Sequence, residues 1–163
     1  MSSKMTTPLS KADLKAQLLD ALNVELAGAE TAYATTRAGA THEEAKPEND
    51  KDTRALELSY LARGQAQRVD DLRGAVADVE AMPLPDASER VVLGTVIEVS
   101  NDQKVSTYFM ASHGGGAKLA GGAVQAITPK APLGRALLGK CVDEECEAIL
   151  AGKPKILTVV SIR

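Results

Sequence analysis

Aromatic side chains are almost absent. The sequence has no Trp, one Phe (Phe109) and three Tyr (Tyr33, Tyr60 and Tyr108). So few rings leave little with which to stack bases, which argues against a nucleic-acid platform. Basic charge is not in excess either. The formal net charge is −3, so general coating of nucleic acid is not expected. Long apolar runs are missing: a stretch such as Val91–Val99 is too short to span a bilayer. Residues 1–15 hold no continuous apolar segment, so the sequence predicts no signal peptide, no membrane role and a cytoplasmic address. The two cysteines, Cys141 and Cys146, lie five apart without a CxxC and read as free thiols in a reducing compartment. The two histidines, His42 and His113, fall in different halves of the chain, which supports neither a zinc site nor a Ser-His triad.

The 163 residues are 44% hydrophobic and 25% charged, ordinary for one domain or two small ones. Their composition changes near residue 83. Before it, strong helix formers dominate. Leu14, Leu18, Leu22, Leu26, Ala29, Tyr33, Thr36 and Ala40 follow one another at steps of three and four, one stripe of a helix. Ser10 with Asp13 resembles a capping box at its start, and Pro47 stops it. A second stripe runs Leu58, Leu61, Gln65, Val69, Leu72, Val76, Val79, Met82, ended by Pro83 and Pro85. Two helices of about 30 residues, each about 45 Å long, joined by a polar turn, should lie antiparallel as a coiled-coil hairpin and arm.

From residue 86 the pattern is β-branched. Val91–Val99, Val105–Met110, Val124–Ile127 and Ile156–Ile162 read as strands, and Pro132–Lys140 reads as a short helix between them. The class is therefore α+β: a helical hairpin over 1–82, a linker at 83–86 and a small sheet domain over 87–163.

Charge is uneven. Residues 1–82 carry 10 basic and 14 acidic side chains, net −4, and residues 83–163 carry 9 and 8, net +1. Glu43, Glu44, Glu48, Asp50 and Asp52 crowd the turn between the helices. Solvation explains part of this, and Asp50 and Asp52 also suit the start of the second helix. Glu43 and Glu44 stand at the end of the first helix, where the dipole disfavours acids. The functional reading is that these carboxylates deliver oxygen ligands to Mg²⁺ in another molecule's site, because Mg²⁺ takes only one or two carboxylates from a protein. Arg54, Arg63, Arg68 and Arg73 either pair with acids on the same arm or contact an anionic partner.

Two other features carry less. Gly134–Cys141 nearly fits the phosphate-loop pattern, but Cys141 has no hydroxyl for Mg²⁺. The glycines at 114–116 and 121–122 read as a mobile hairpin loop, with His113 a loop residue.

The segment Ile127-Thr-Pro-Lys-Ala-Pro-Leu-Gly-Arg-Ala-Leu-Leu-Gly-Lys140 is similar to the Ser-Pro-Ile-Ala-Arg-Gly-Leu-Ile-Gly-Lys segment of the bacterial Gre transcript-cleavage factors. The two-part layout resembles that family over nearly the whole chain. In the family's tip an Asp, a Glu and a Tyr follow at steps of three. Glu57 and Tyr60 match, Arg54 stands where the Asp would be, and the nearest acid, Asp52, precedes Glu57 by five.

The resemblance implies an FKBP-like, antiparallel C-terminal domain docking on RNA polymerase and a hairpin entering its secondary channel. It implies a monomeric accessory factor rather than an enzyme. Asp52 and Glu57, with Asp50 as substitute, would then be ligands of an Mg²⁺ shared with the polymerase. Arg54, Arg63, Arg68 and Tyr60 would meet the nascent RNA 3′ end or the channel wall. Two outcomes stay open, stimulated cleavage of backtracked RNA and non-cleaving regulation. A prolyl isomerase is the distant alternative, since Tyr108 and Phe109 are the only rings available to line its pocket.

Overall fold

A computed structural model describes residues 10–44, 52–102 and 104–163. Ser10 starts the first helix as its sequence predicts. Its hydroxyl accepts the Asp13 N–H at 3.1 Å, and its own N–H donates to Asp13 Oδ2 at 3.2 Å. This closes a capping box with Asp in the place of Glu. From there α1 runs Lys11–Glu44 and α2 runs Asp52–Ala81.

The side chains turned inward follow the expected stripe on α1: Leu14, Leu18, Leu22 and Ala40 are buried, and Leu26, Ala29, Tyr33 and Thr36 are half-buried. On α2 the stripe differs in two places. Leu61 is exposed and Ala62 takes the inward position, and Ala75 is buried more deeply than Val76. The seam is set by angle around the axis, so a small residue at the right angle displaces a larger one at the wrong angle. Tyr33 shares a groove with Ala66 and Val69, and Arg37 and Thr41 share another with Ser59 and Ala62. Numbers fall along α2 as they rise along α1, so the pair is antiparallel.

The sheet has six strands in the order β3-β4-β2-β1-β6-β5: β1 Val96–Asn101, β2 Lys104–Met110, β3 Lys118–Leu119, β4 Val124–Ile127, β5 Glu145–Leu150 and β6 Lys153–Ile162. Its pairs are antiparallel except β2 with β4, which are parallel. The expected strand Val91–Val99 starts only at Val96, and β5 is an addition to the sequence reading. One face buries Ile97, Val99, Tyr108, Met110, Leu157 and Val159 under α3, Pro132–Leu137, whose Leu137 is fully buried. Cys146 sits in this core, where burial pushes its thiol up and nearby Lys140 pulls weakly the other way. Both cysteines are free thiols.

The chain divides into two compact units, one of the described residues up to Ala21 with Asp78–Arg163, the other Leu22–Ala77. Both breaks between the units fall inside the long helices. In the first unit, the Lys15 ammonium donates to the carbonyls of Glu80 (2.8 Å) and Met82 (2.9 Å), and the Lys11 ammonium donates to that of Pro85. The glycine-rich segment expected to be a mobile loop is instead docked. A Cβ on Gly114 would lie 2.5 Å from Leu18, Ala120 N–H donates to Gln17 Oε1 at 2.7 Å, and Leu119 is buried in β3. His113 Nε2 lies 2.7 Å from Asp78 Oδ2.

Gly134 marks the closest approach. A Cβ there would lie 1.8 Å from the Thr128 carbonyl oxygen, which is backbone and cannot swing away. Gly134→Ala should therefore cost about 1–3 kcal/mol, read from urea denaturation; a cost under about 0.5 kcal/mol contradicts the close packing. The β5–β6 turn holds Ala151 at φ 52° and Gly152 at φ 76°, a hairpin turn that favours Asn-Gly. Ala151→Asn is expected to stabilise by roughly 0.5–1 kcal/mol in the same measurement.

Candidate functional site

On α2, Arg54, Glu57, Tyr60 and Arg63 follow at three-residue steps and form a ridge along the helix surface. All four are exposed, Tyr60 to 60%. Tyr60 is thus largely in the open, although aromatic residues at helical spacing usually enter a seam. The Arg63 guanidinium instead lies 5.8 Å from the Tyr60 ring centroid, a cation–π contact worth about 0.5–1 kcal/mol at an exposed site. This contact limits the ring's rotamers on the open helix face.

Glu57 is next on the ridge. Among the described residues, no ion pair or hydrogen bond engages its carboxylate. Asp52 is the first residue of α2, with its side chain outside the described set, and Asp50 lies outside the described residues altogether. Five residues of helix separate Asp52 from Glu57, about 140° around the axis and about 7.5 Å along it.

The remaining arginines behave differently. Arg68 pairs with Glu25, and Arg73 pairs with Glu30 at 3.0 Å and approaches Asp70 at 3.8 Å. These pairs tie α2 to α1 and are half exposed, so each is worth at most about 1 kcal/mol. Arg68 is thus neutralised within the hairpin, whereas Arg54 and Arg63 have no carboxylate partner among the described residues.

A neighbouring set was not singled out from the sequence. Tyr33, Arg37, Thr41, Ser59 and Arg63 line a shallow groove of about 460 Å³ between the two helices. Arg63 belongs to both the groove and the ridge. The signal available was the antiparallel register, which brings Arg37 level with the residues near 60.

Among the described residues, no three His, Cys, Asp or Glu side chains gather into a group able to hold a metal. Glu57 offers hard oxygen donors of the type Mg²⁺ takes, and one or two carboxylates are what that ion commonly draws from a protein. The donor chemistry fits an ion completed by ligands from elsewhere. The near phosphate-loop motif is not a loop: its first glycine, Gly134, sits inside α3 against Thr128. No helix among the described residues is long and apolar enough to cross a membrane.

No protein-family model and no curated protein matches this sequence. Among solved structures the chain is similar to Gfh1 of Thermus aquaticus, at 18% identity over 88% of this chain and 92% of that one, with a TM-score of 0.41. It is similar to GreA factor homolog 1 (Gfh1) of Thermus thermophilus, at 15% identity over 89% and 94%, with a TM-score of 0.39. It is also similar to the prokaryotic transcription elongation factor GreA/GreB from Nitrosomonas europaea, at 20% identity over 66% and 91%, with a TM-score of 0.37.

Proposed function

We propose that this chain is an accessory factor of RNA polymerase, not itself an enzyme, that enters the polymerase secondary channel with the turn end of its α1–α2 pair. The observation that carries this reading is the exposed α2 surface, on which Glu57, with no partner among the described residues, stands one turn before Tyr60, whose ring carries Arg63. The similarity of residues 127–140 to the Gre segment supports it. Asp52 and Glu57, with Asp50 as substitute, are the ligands offered to an Mg²⁺ shared with the polymerase. When bound, that ion supplies a nucleophilic hydroxide and clamps phosphodiester oxygens. This chain's own residues present and orient. Glu57 brings carboxylate oxygens to the site, Arg54 and Arg63 offset phosphate charge at the nascent RNA 3′ end, and Tyr60 lays a ring held by Arg63 against a base or the channel wall.

A second reading is favoured by one observation. Arg54, not an acid, is the residue three before Glu57. One carboxylate flanked by a cation suits a regulator that occupies the channel without stimulating cleavage.

Stalled elongation complexes separate the two. With the wild-type chain, 3′ cleavage of the RNA should rise above the factor-free rate, and Glu57→Ala should lower it more than about tenfold while co-migration with core polymerase is kept. Displacement of a Gre factor without cleavage establishes the regulator instead. Failure to co-migrate with core polymerase overturns both.

A further inference from the structure

The two edges of the sheet are treated differently. β3 is two residues long, carries Lys118 and runs directly into a turn whose Ala120 N–H is taken by Gln17. Short length and an edge lysine are the usual ways of closing an edge to new strands. β5 has neither. Glu145–Leu150 is six residues with no Lys and no Pro, and its register with β6 is unbroken from Glu145↔Thr158 to Leu150↔Lys153.

The free side of β5 follows from its turn. A two-residue hairpin turn makes Leu150 and Lys153 a hydrogen-bonded pair, and alternation repeats this at Ala148–Lys155 and Cys146–Leu157. The Val159 N–H to Glu144 carbonyl bond at 3.0 Å continues the series. Glu145, Glu147 and Ile149 therefore turn their N–H and C=O groups away from β6. Among the described residues, no hydrogen bond from outside the β5–β6 ladder reaches them. Their side chains are also exposed, Ile149 to 63%, and Ile156, paired with Glu147 on β6, is exposed to the same extent. Cys146 and Ala148, which alternate with them, face the core.

We propose that β5 accepts an added strand from another protein: an extended segment with Lys or Arg at alternate positions beside Glu145 and Glu147, and an apolar residue beside Ile149 at the next alternate position. Backbone bonds would give affinity and the alternating side chains would choose the partner. Charge complementarity selects this occupant over a second copy of the chain. Self-pairing of two β5 edges centred on Glu147, the middle of the three outward-turned residues, sets the two Glu147 carboxylates directly opposite each other, which like charge disfavours.

The full-length protein can be titrated with a peptide of about eight residues in which Lys, Lys and Val occupy successive alternate positions, with Thr between them. Amide hydrogen exchange at Glu145, Glu147 and Ile149 should slow at least about tenfold at saturation. The amides of Cys146 and Ala148, already bonded, should change little. The double variant Glu145→Lys/Glu147→Lys, its fold checked by circular dichroism, should bind the Lys peptide at least about tenfold more weakly and prefer the same peptide with Glu for Lys. Protection elsewhere, equal binding of the Glu peptide by the wild-type chain, or protection arising from dimerisation without peptide would each overturn the proposal. None of these readouts involves the α2 ridge or polymerase.

Discussion

The Lys15 ammonium on the carbonyls of Glu80, in the last turn of α2, and Met82, just past it, is the interaction on which the root of the hairpin depends. The last turn of α2 has no basic residue of its own, while Asp78 and Glu80 add negative charge where the helix dipole is already negative. A cation from the neighbouring helix supplies what α2 lacks and bonds two carbonyls that the helix cannot satisfy itself. It also fixes which residue of α1 stands beside which residue of α2. Leu14 and Leu18 are then fully buried within the same unit as the sheet, and Gly114 leaves the space that Leu18 occupies. Each such leucine contributes about 1.5–3 kcal/mol when buried. The ammonium sets the register, and the apolar seam supplies most of the stability.

Along α1 and α2 the inward residues change in kind. Leu and Val dominate toward Ser10 and Met82, whereas Ala29, Ala40, Ala62 and Ala66 dominate toward the turn, mostly half-buried. Small seam residues bury less area and hold the helices less strongly. The pairs Arg68–Glu25 and Arg73–Glu30 join the helices across part of this stretch.

Both long helices were legible because their stripes have helical period and their ends carry recognisable stops, Ser10 with Asp13 at one end and Pro83 with Pro85 at the other. Leu61 was misplaced because hydrophobic size was read where angle decides, and Ala62 holds the inward position. β5 was illegible for a different reason. Glu-Cys-Glu-Ala-Ile-Leu has low strand propensity, and its pairing is set by the Ala151-Gly152 turn and by burial of Cys146 and Ala148. The docking of the glycine-rich segment was invisible because Leu18 and Gln17, which hold it, lie about a hundred residues away in sequence. Of the candidate site, Glu57 and Tyr60 were singled out by the resemblance to the Gre tip, and Arg63 as one of the arginines of α2. The fate of Arg68 was not legible, because Glu25 is 43 positions away.

That division among the arginines bears on function more than their number does. A guanidinium held by a carboxylate on the same hairpin has much of its charge offset, and breaking an exposed pair costs little but gains little. Arg68 and Arg73 are in this state. Arg63 rests on an aromatic face, which leaves its donors open to an anion. Basic charge counted from sequence thus overstates what α2 offers a phosphate. The part that remains, Arg54 and Arg63, brackets Glu57 and Tyr60 along α2, so the same short stretch presents an anion's partner and a cation's ligand.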